Sequence, residues 1–334
     1  MKKTLIAVAA LSAMAASAMA ANVTVYGKID QGFQVQSQKT DGEDRTTTWK
    51  GASGISSGSR WGLKGTEEIA DGYTVGFVLE SGFDGYTGKS GQSSRLFGRD
   101  AFVTLGTPFG SLTVGRTGML SDGCTGDIVS GQSSPFGTSY SLAAATTTAF
   151  VGLGETRTDR AVRYVSPKFA GVQFHAEYAN MNGEDTASTK KRYGGVGVSY
   201  ANGPFYTAIA AETIKQSAGV AAEDPQIYSI AANYNFGVAK VFGGYQYAKD
   251  SVWGGEKLNA GTLGVSAPVA GGTVMASIAY AKGDNDRKLT TGAIGYKYSL
   301  SKRTYIYTDL AYAEDKTDTK TKTTEFNLGL CHNF

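Results

Sequence analysis

Runs of about ten residues in which apolar and polar side chains alternate without a break constrain this chain more than any other feature. The last nine residues carry the clearest run: Phe326, Leu328, Leu330 and Phe334 share one parity, while Asn327, Gly329, Cys331 and Asn333 share the other. In an extended chain each parity lines one face of a sheet. Near the start, Val23, Val25, Ile29, Phe33 and Val35 oppose Thr24, Tyr26, Lys28, Asp30 and Gln34. Val172, Phe174, Ala176 and Tyr178 oppose Gln173, His175 and Glu177, and Ile306, Leu310 and Tyr312 oppose Tyr305, Tyr307 and Asp309. Such runs exceed the usual strand of about 5–6 residues and match the length of a tilted strand that crosses a bilayer. An apolar face that continues to a terminal aromatic is out of place in water, where chain ends fray. It suits lipid on one side and a polar interior on the other.

The other end predicts how the chain reaches a membrane. Lys2 and Lys3 precede an Ala-rich apolar core over 4–16, and Ala18-Met19-Ala20 has the small-x-small pattern of a cleavage site. Residues 1–20 are expected to be a cleaved signal peptide, with 21–334 forming a single domain. The apolar core is shorter than the roughly 20 residues of a helical anchor, and no later stretch approaches the 18 or so of a transmembrane helix. Without Lys2 and Lys3 the chain carries 30 basic against 29 acidic residues. That balance excludes the strongly basic surface of a nucleic-acid-binding domain. The 45 glycines, 19 tyrosines and only six prolines suit tightly turned strands with aromatic girdles. Two cysteines, Cys124 and Cys331, do not make a disulfide framework, although they are available as one pair in an oxidising compartment.

The connections alternate as regularly as the faces. Short turns lie at 70–72, 107–110, 167–171, 202–204, 235–237, 268–272 and 300–303, and longer polar links at about 37–57, 85–94, 117–158, 181–191, 215–224, 250–256, 283–287 and 316–322. Seven turns and eight links separate sixteen strands. An even strand number with short periplasmic turns and long outer loops is the pattern of a bacterial barrel. The predicted fold is all-β: a 16-stranded antiparallel transmembrane β-barrel, closed by pairing the strand that begins at Val23 with the strand that ends at Phe334. An open β-sandwich would leave edges to protect.

Several segments resemble the general trimeric porins of Gram-negative bacteria, closest to the β-proteobacterial type. They are Val23–Lys28, Ser59–Glu67, Arg99–Gly106, Phe109–Arg116, Arg163–Pro167 and the terminal His332-Asn333-Phe334. The resemblance implies a passive, water-filled outer-membrane channel for ions and small hydrophilic solutes. It also implies a homotrimer, embedded in outer-membrane lipid after delivery by the outer-membrane assembly machinery. In that machinery's reading of the family, the last aromatic, Phe334 in this chain, is the key signal residue.

The resemblance further implies that the third long loop, about 117–158, folds into the lumen and narrows it. Ser133-Ser134-Pro135-Phe136-Gly137 is similar to the family's Pro-Glu-Phe-Gly-Gly turn, without its Glu. Asp122 and Asp127 are the candidate loop carboxylates. Lys28, Arg60 and Arg99 match basic positions on the facing wall, with Arg163 a looser match, and Arg116 suits a loop hinge as well as the wall. Such charges facing one another set ion preference and orient solutes. A basic wall without the loop Glu predicts weak anion preference.

No enzymatic site is expected. Gly54-Ile55-Ser56-Ser57-Gly58 has the spacing of a nucleophile elbow but lacks its strand–turn–helix context, and 82–90 lacks the helix of a phosphate loop. His175 and His332 make no metal site by themselves, and no cofactor is expected. A substrate-selective channel, an outer-membrane barrel enzyme and an adhesin are the alternative functions.

Overall fold

The computed structural model describes residues 23–121, 124–137, 141–144, 153, 155–182, 191–216, 224–251, 255–284, 287–317 and 319–334. The expected signal peptide at 1–20 and the expected loop carboxylate Asp122 lie outside the described residues.

The chain forms strand after strand. They are β1 (Thr24–Thr40), β2 (Thr46–Ser53), β3 (Arg60–Ala70), β4 (Tyr73–Gly82), β5 (Asp100–Thr107) and β6 (Gly110–Gly118). There follow β7 (Arg157–Val165), β8 (Val172–Asn180), β9 (Lys191–Asn202), β10 (Phe205–Gln216) and β11 (Gln226–Asn235). The last are β12 (Lys240–Ser251), β13 (Gly255–Val269), β14 (Gly272–Gly283), β15 (Lys288–Ser299), β16 (Thr304–Asp315) and β17 (Thr321–Asn333). Among the described residues the only helical element is a single 3₁₀ turn at Ser130–Gln132.

From β3 onward each strand pairs antiparallel with the next, and β1 pairs antiparallel with β17 in a register that matches Gly32 with Gly329 and Val35 with Phe326. The sheet is therefore a closed ring. β2 pairs with the outer half of β1, Gln31 opposite Ser53, and β3 with its inner half, Lys28 opposite Arg60. They are two parts of one barrel strand, interrupted at 54–59, so the ring holds sixteen strands. Closure matters because each unpaired backbone group in hydrocarbon costs several kcal/mol.

The alternating faces sort as the sequence predicts. Outward positions such as Leu263, Ile278 and Leu328 are half-exposed or more, whereas Asp30 and Asn327, on the opposite parity, are fully buried. The seven short turns stand where they are expected. The first long link does not: β1 runs on to Thr40 and β2 takes up 46–53, leaving only residues 41–45 as the tip. Apart from Trp49 and Ala52 both faces are polar in this outer segment, so no apolar period marks it as a strand, although the β-branched run Thr46-Thr47-Thr48 favours one.

At the seam the Phe334 amide donates to the Gly27 carbonyl at 3.0 Å and the Gly27 amide to the Phe334 carbonyl at 3.1 Å. A Cβ on Gly27 would lie 2.5 Å from the Phe334 ring. Glycine at 27 is what lets the terminal aromatic lie against the wall.

Candidate functional site

The 54–59 interruption turns inward because Asp30, on the inward parity of β1, gathers its polar groups. The Asp30 carboxylate accepts from the Ser57 amide at 2.6 Å and from the Tyr307 hydroxyl at 2.6 Å. Its amide donates to Ser59 Oγ at 3.0 Å, and its carbonyl accepts from the Gly54 amide at 2.8 Å. Thus fixed, Ser57 Oγ accepts from Lys28 Nζ at 3.1 Å and from Arg60 Nη2 at 2.8 Å. The kink holds two cations side by side on the lumen wall.

Arg60 and Arg99 converge on one carboxylate. Arg99 Nε donates to Glu80 Oε1 at 2.5 Å, Arg60 Nη1 lies 3.7 Å from the same oxygen, and the Tyr26 hydroxyl donates to Oε2 at 3.0 Å. Glu80 therefore offsets one of the two guanidinium charges.

Arg163 has a different setting. It is buried against Glu177, whose Oε2 accepts from Arg163 Nε at 2.7 Å, and it also donates to the carbonyls of Thr125, at 3.1 Å, and Gly118. Both carbonyls lie at or just past the end of β6, so Arg163 fastens the root of the segment between β6 and β7 to the wall.

The described residues of that segment, 119–156, lie against the inward face of the sheet. Met119, Leu120, Ile128, Val129 and Leu153 are buried in one cluster with Ala161, Tyr193, Ala210, Ile214 and Ile227. Full burial of each large side chain is worth about 1.5–3 kcal/mol. The segment is tied to β10 and β11. The Leu120 amide donates to Glu212 Oε1 at 3.1 Å, the Tyr206 hydroxyl to the Ile128 carbonyl at 2.9 Å, and Asn233 Nδ2 to the Gln132 carbonyl at 3.0 Å. Farther round, the Leu142 amide donates to Glu325 Oε1 at 2.8 Å. Pro135 and Phe136 fit where glycine leaves room: a Cβ on Gly264 would meet Pro135 at 2.4 Å, and one on Gly295 would meet Phe136 at 2.8 Å.

Asp127 is placed within this segment, but its carboxylate is engaged locally. Its oxygens accept from the amides of Val129 and Ser130 at 2.9 Å each and of Gly131 at 2.6 Å, capping the 3₁₀ turn.

Between the Pro135–Gly137 tip and the wall lies a cavity of about 320 Å³, lined on the wall side by Lys28, Ser57, Lys297, Tyr305, Tyr307 and Asp309. The structure thus brings Lys28 to the loop tip with Arg60 beside it, while Arg99 and Arg163 are paired with buried carboxylates. Lys297 was missed in the sequence, yet its inward parity in β15 marks it. Cys124 and Cys331 are not joined in a disulfide. Cys124 lies beside Gly118 at the end of β6, whereas Cys331 faces inward on β17 opposite Asp30.

The sequence matches the profile of the Gram-negative porin family over residues 7–318. Outer membrane porin protein 32 of Delftia acidovorans is 34% identical, across 95% of this chain and 90% of that one. An outer membrane porin protein of Bordetella pertussis is 30% identical across the whole of both chains. Among solved structures, the anion-selective porin from Comamonas acidovorans superposes with a TM-score of 0.74 at 27% identity, over 94% of this chain and 100% of that one.

Proposed function

This chain belongs to the Gram-negative porin family, and from that premise we propose that the Pro135–Gly137 tip and the Lys28–Arg60–Lys297 wall form the narrowest part of its pore. The protein is an outer-membrane channel for passive diffusion, and its family consists of channels rather than enzymes. The observation that carries the proposal is the cavity shared by the loop tip and the two lysines. Among the described residues Lys28 and Lys297 stand against Asp309 in the lining and Asp30 behind Ser57 and Tyr307, so these four charges balance formally. Arg60 and Arg99 add one net positive charge after Glu80 is counted. Arg163 and Asp127 hold the loop in place rather than meeting the solute. Weak anion preference follows, and the relative from Comamonas acidovorans is described as anion-selective.

Three further readings complete the proposal. Cleavage after Ala20 frees the exported chain, Phe334 serves the assembly machinery as its signal, and the mature protein works as a homotrimer. The signal-peptide motif, the terminal aromatic strand and family membership support them in that order.

The reversal potential of the purified protein in a planar bilayer under a potassium chloride gradient tests the charge assignment. It should have the sign of anion preference. Clear cation selectivity would remove the basic wall from its role while leaving the channel itself in place.

A further inference from the structure

The outer surface of the barrel carries a basic pocket that the pore does not use. β6 and β7 pair regularly from Ser111 opposite Val165 to Gly115 opposite Ala161, but beyond that Thr117 stands opposite Thr158. Arg116 therefore faces two residues, Asp159 and Arg160, the two-against-one count of a β-bulge, which re-aims side chains. Arg160 adopts φ +54°, a left-handed conformation that a non-glycine residue holds only at some cost. Arg160 is exposed, on the outward parity of Val162 and Tyr164, and the bulge brings Asp159 to the same face. Its Nη1 donates to the Met181 carbonyl at 3.2 Å.

Two more arginines meet there. Arg116 Nη1 and Arg95 Nη1 donate to Asp159 Oδ1 at 2.6 and 2.8 Å, and Arg116 Nε donates to the Gly98 carbonyl at 2.8 Å. Arg95, Arg116, Asp159 and Arg160 line an outward concavity of about 650 Å³ whose floor is Val114 and Gly115. Two guanidinium groups share one carboxylate and Arg160 stands beside them, a formal charge of +2. Directly below on the same face, Val114, Val162, Leu112 and Tyr164 are exposed. These side chains face hydrocarbon, whereas the arginines stand at the long-loop end of β6 and β7, at the height of the outer leaflet's headgroups.

We propose that this pocket binds the phosphate-bearing headgroup of an outer-leaflet lipid whose acyl chains lie along the apolar face below. Guanidinium groups pair with phosphate oxygens in bidentate geometry and are less strongly hydrated than ammonium groups, which suits a site at the membrane rim. The bulge places Asp159 where it pre-orders Arg95 and Arg116 beside Arg160. The charge above and the grease below match one amphiphile, not a free anion.

The test is titration of the detergent-solubilised protein with diphosphorylated lipid A, followed by native mass spectrometry, with phosphatidylcholine as the control lipid. Arg160→Gly removes one cation and also relieves the left-handed strain. It should weaken lipid A binding on the order of tenfold, the loss expected for one charge-assisted contact, without lowering the unfolding temperature. Arg160→Lys should retain most of the binding. On the unaltered protein, inorganic phosphate should not displace lipid A. Equal lipid A binding by Arg160→Gly and the parent would overturn the assignment, as would displacement by phosphate alone or equal affinity for phosphatidylcholine.

Discussion

Lys28→Gln withdraws one cation from the proposed constriction and leaves the side chain's length nearly intact. A cavity of about 320 Å³ has the volume of a sphere about 4 Å in radius, so an ion at its centre feels each lining charge across about that distance. At about 4 Å a unit charge is worth about 1 kcal/mol in water-like surroundings, and a Debye length of about 10 Å at 0.1 M salt trims this to about 0.7 kcal/mol. The substitution takes that stabilisation from an anion and relieves a cation of the same repulsion. The difference of about 1.4 kcal/mol corresponds to about a tenfold fall in the anion-to-cation permeability ratio. Reversal potentials in a salt gradient read this ratio directly. At 1 M salt, where the Debye length is about 3 Å, the effect should shrink sharply. A Lys28→Gln channel whose reversal potential matches that of the parent at 0.1 M would refute the placement of Lys28 in the narrow zone.

Other substitutions probe separate parts of the arrangement. Glu80→Gln leaves Arg60 and Arg99 without their shared carboxylate, so anion preference should rise; an unchanged or falling ratio in the same assay counts against those arginines facing the pore. Arg163→Met strands the buried Glu177 carboxylate and releases two loop carbonyls. Breaking such a pair costs about 3–5 kcal/mol, which should appear as a lower unfolding temperature by circular dichroism and noisier single-channel currents, while silent substitution would deny its anchoring role. Gly27→Ala places a methyl group 2.5 Å from both the Phe334 ring and the Arg60 carbonyl, so refolding yield on heat-modifiable gels should fall, and a normal yield would show that the seam is not tightly packed.

Much of this fold is legible in the sequence because a membrane barrel repeats one simple rule. Each spanning strand must show lipid an apolar face, so Ile278 or Leu328 announces its orientation by parity alone. Tight turns announce themselves by Gly, Pro, Asn and Asp. The rule lapses above the membrane, where Thr46–Ser53 forms a strand whose two faces are polar apart from Trp49 and Ala52, and at 54–59, where the inward kink depends on hydrogen bonds to the distant Asp30. The site is only half legible for the same reason. The basic positions can be recognised, but their carboxylate partners cannot, since Glu80 and Glu177 are chosen by register across the sheet. Asp127 looked like a free loop charge because sequence does not reveal that its oxygens cap the next turn. Lys297 could have been found, since it is a charged residue on the inward parity of a spanning strand.

The central claim is that solutes pass between the loop tip and the lysine wall, and a cysteine at Phe136 tests it most directly. In a Cys124→Ser/Cys331→Ser background, Phe136→Cys should react with a negatively charged methanethiosulfonate reagent during single-channel recording. Because Phe136 lines the cavity with Lys28 and Lys297, each modification should cut the current of its pore by about half or more and shift selectivity toward cations. Complete reaction, verified by mass spectrometry, with conductance and selectivity unchanged would contradict the account.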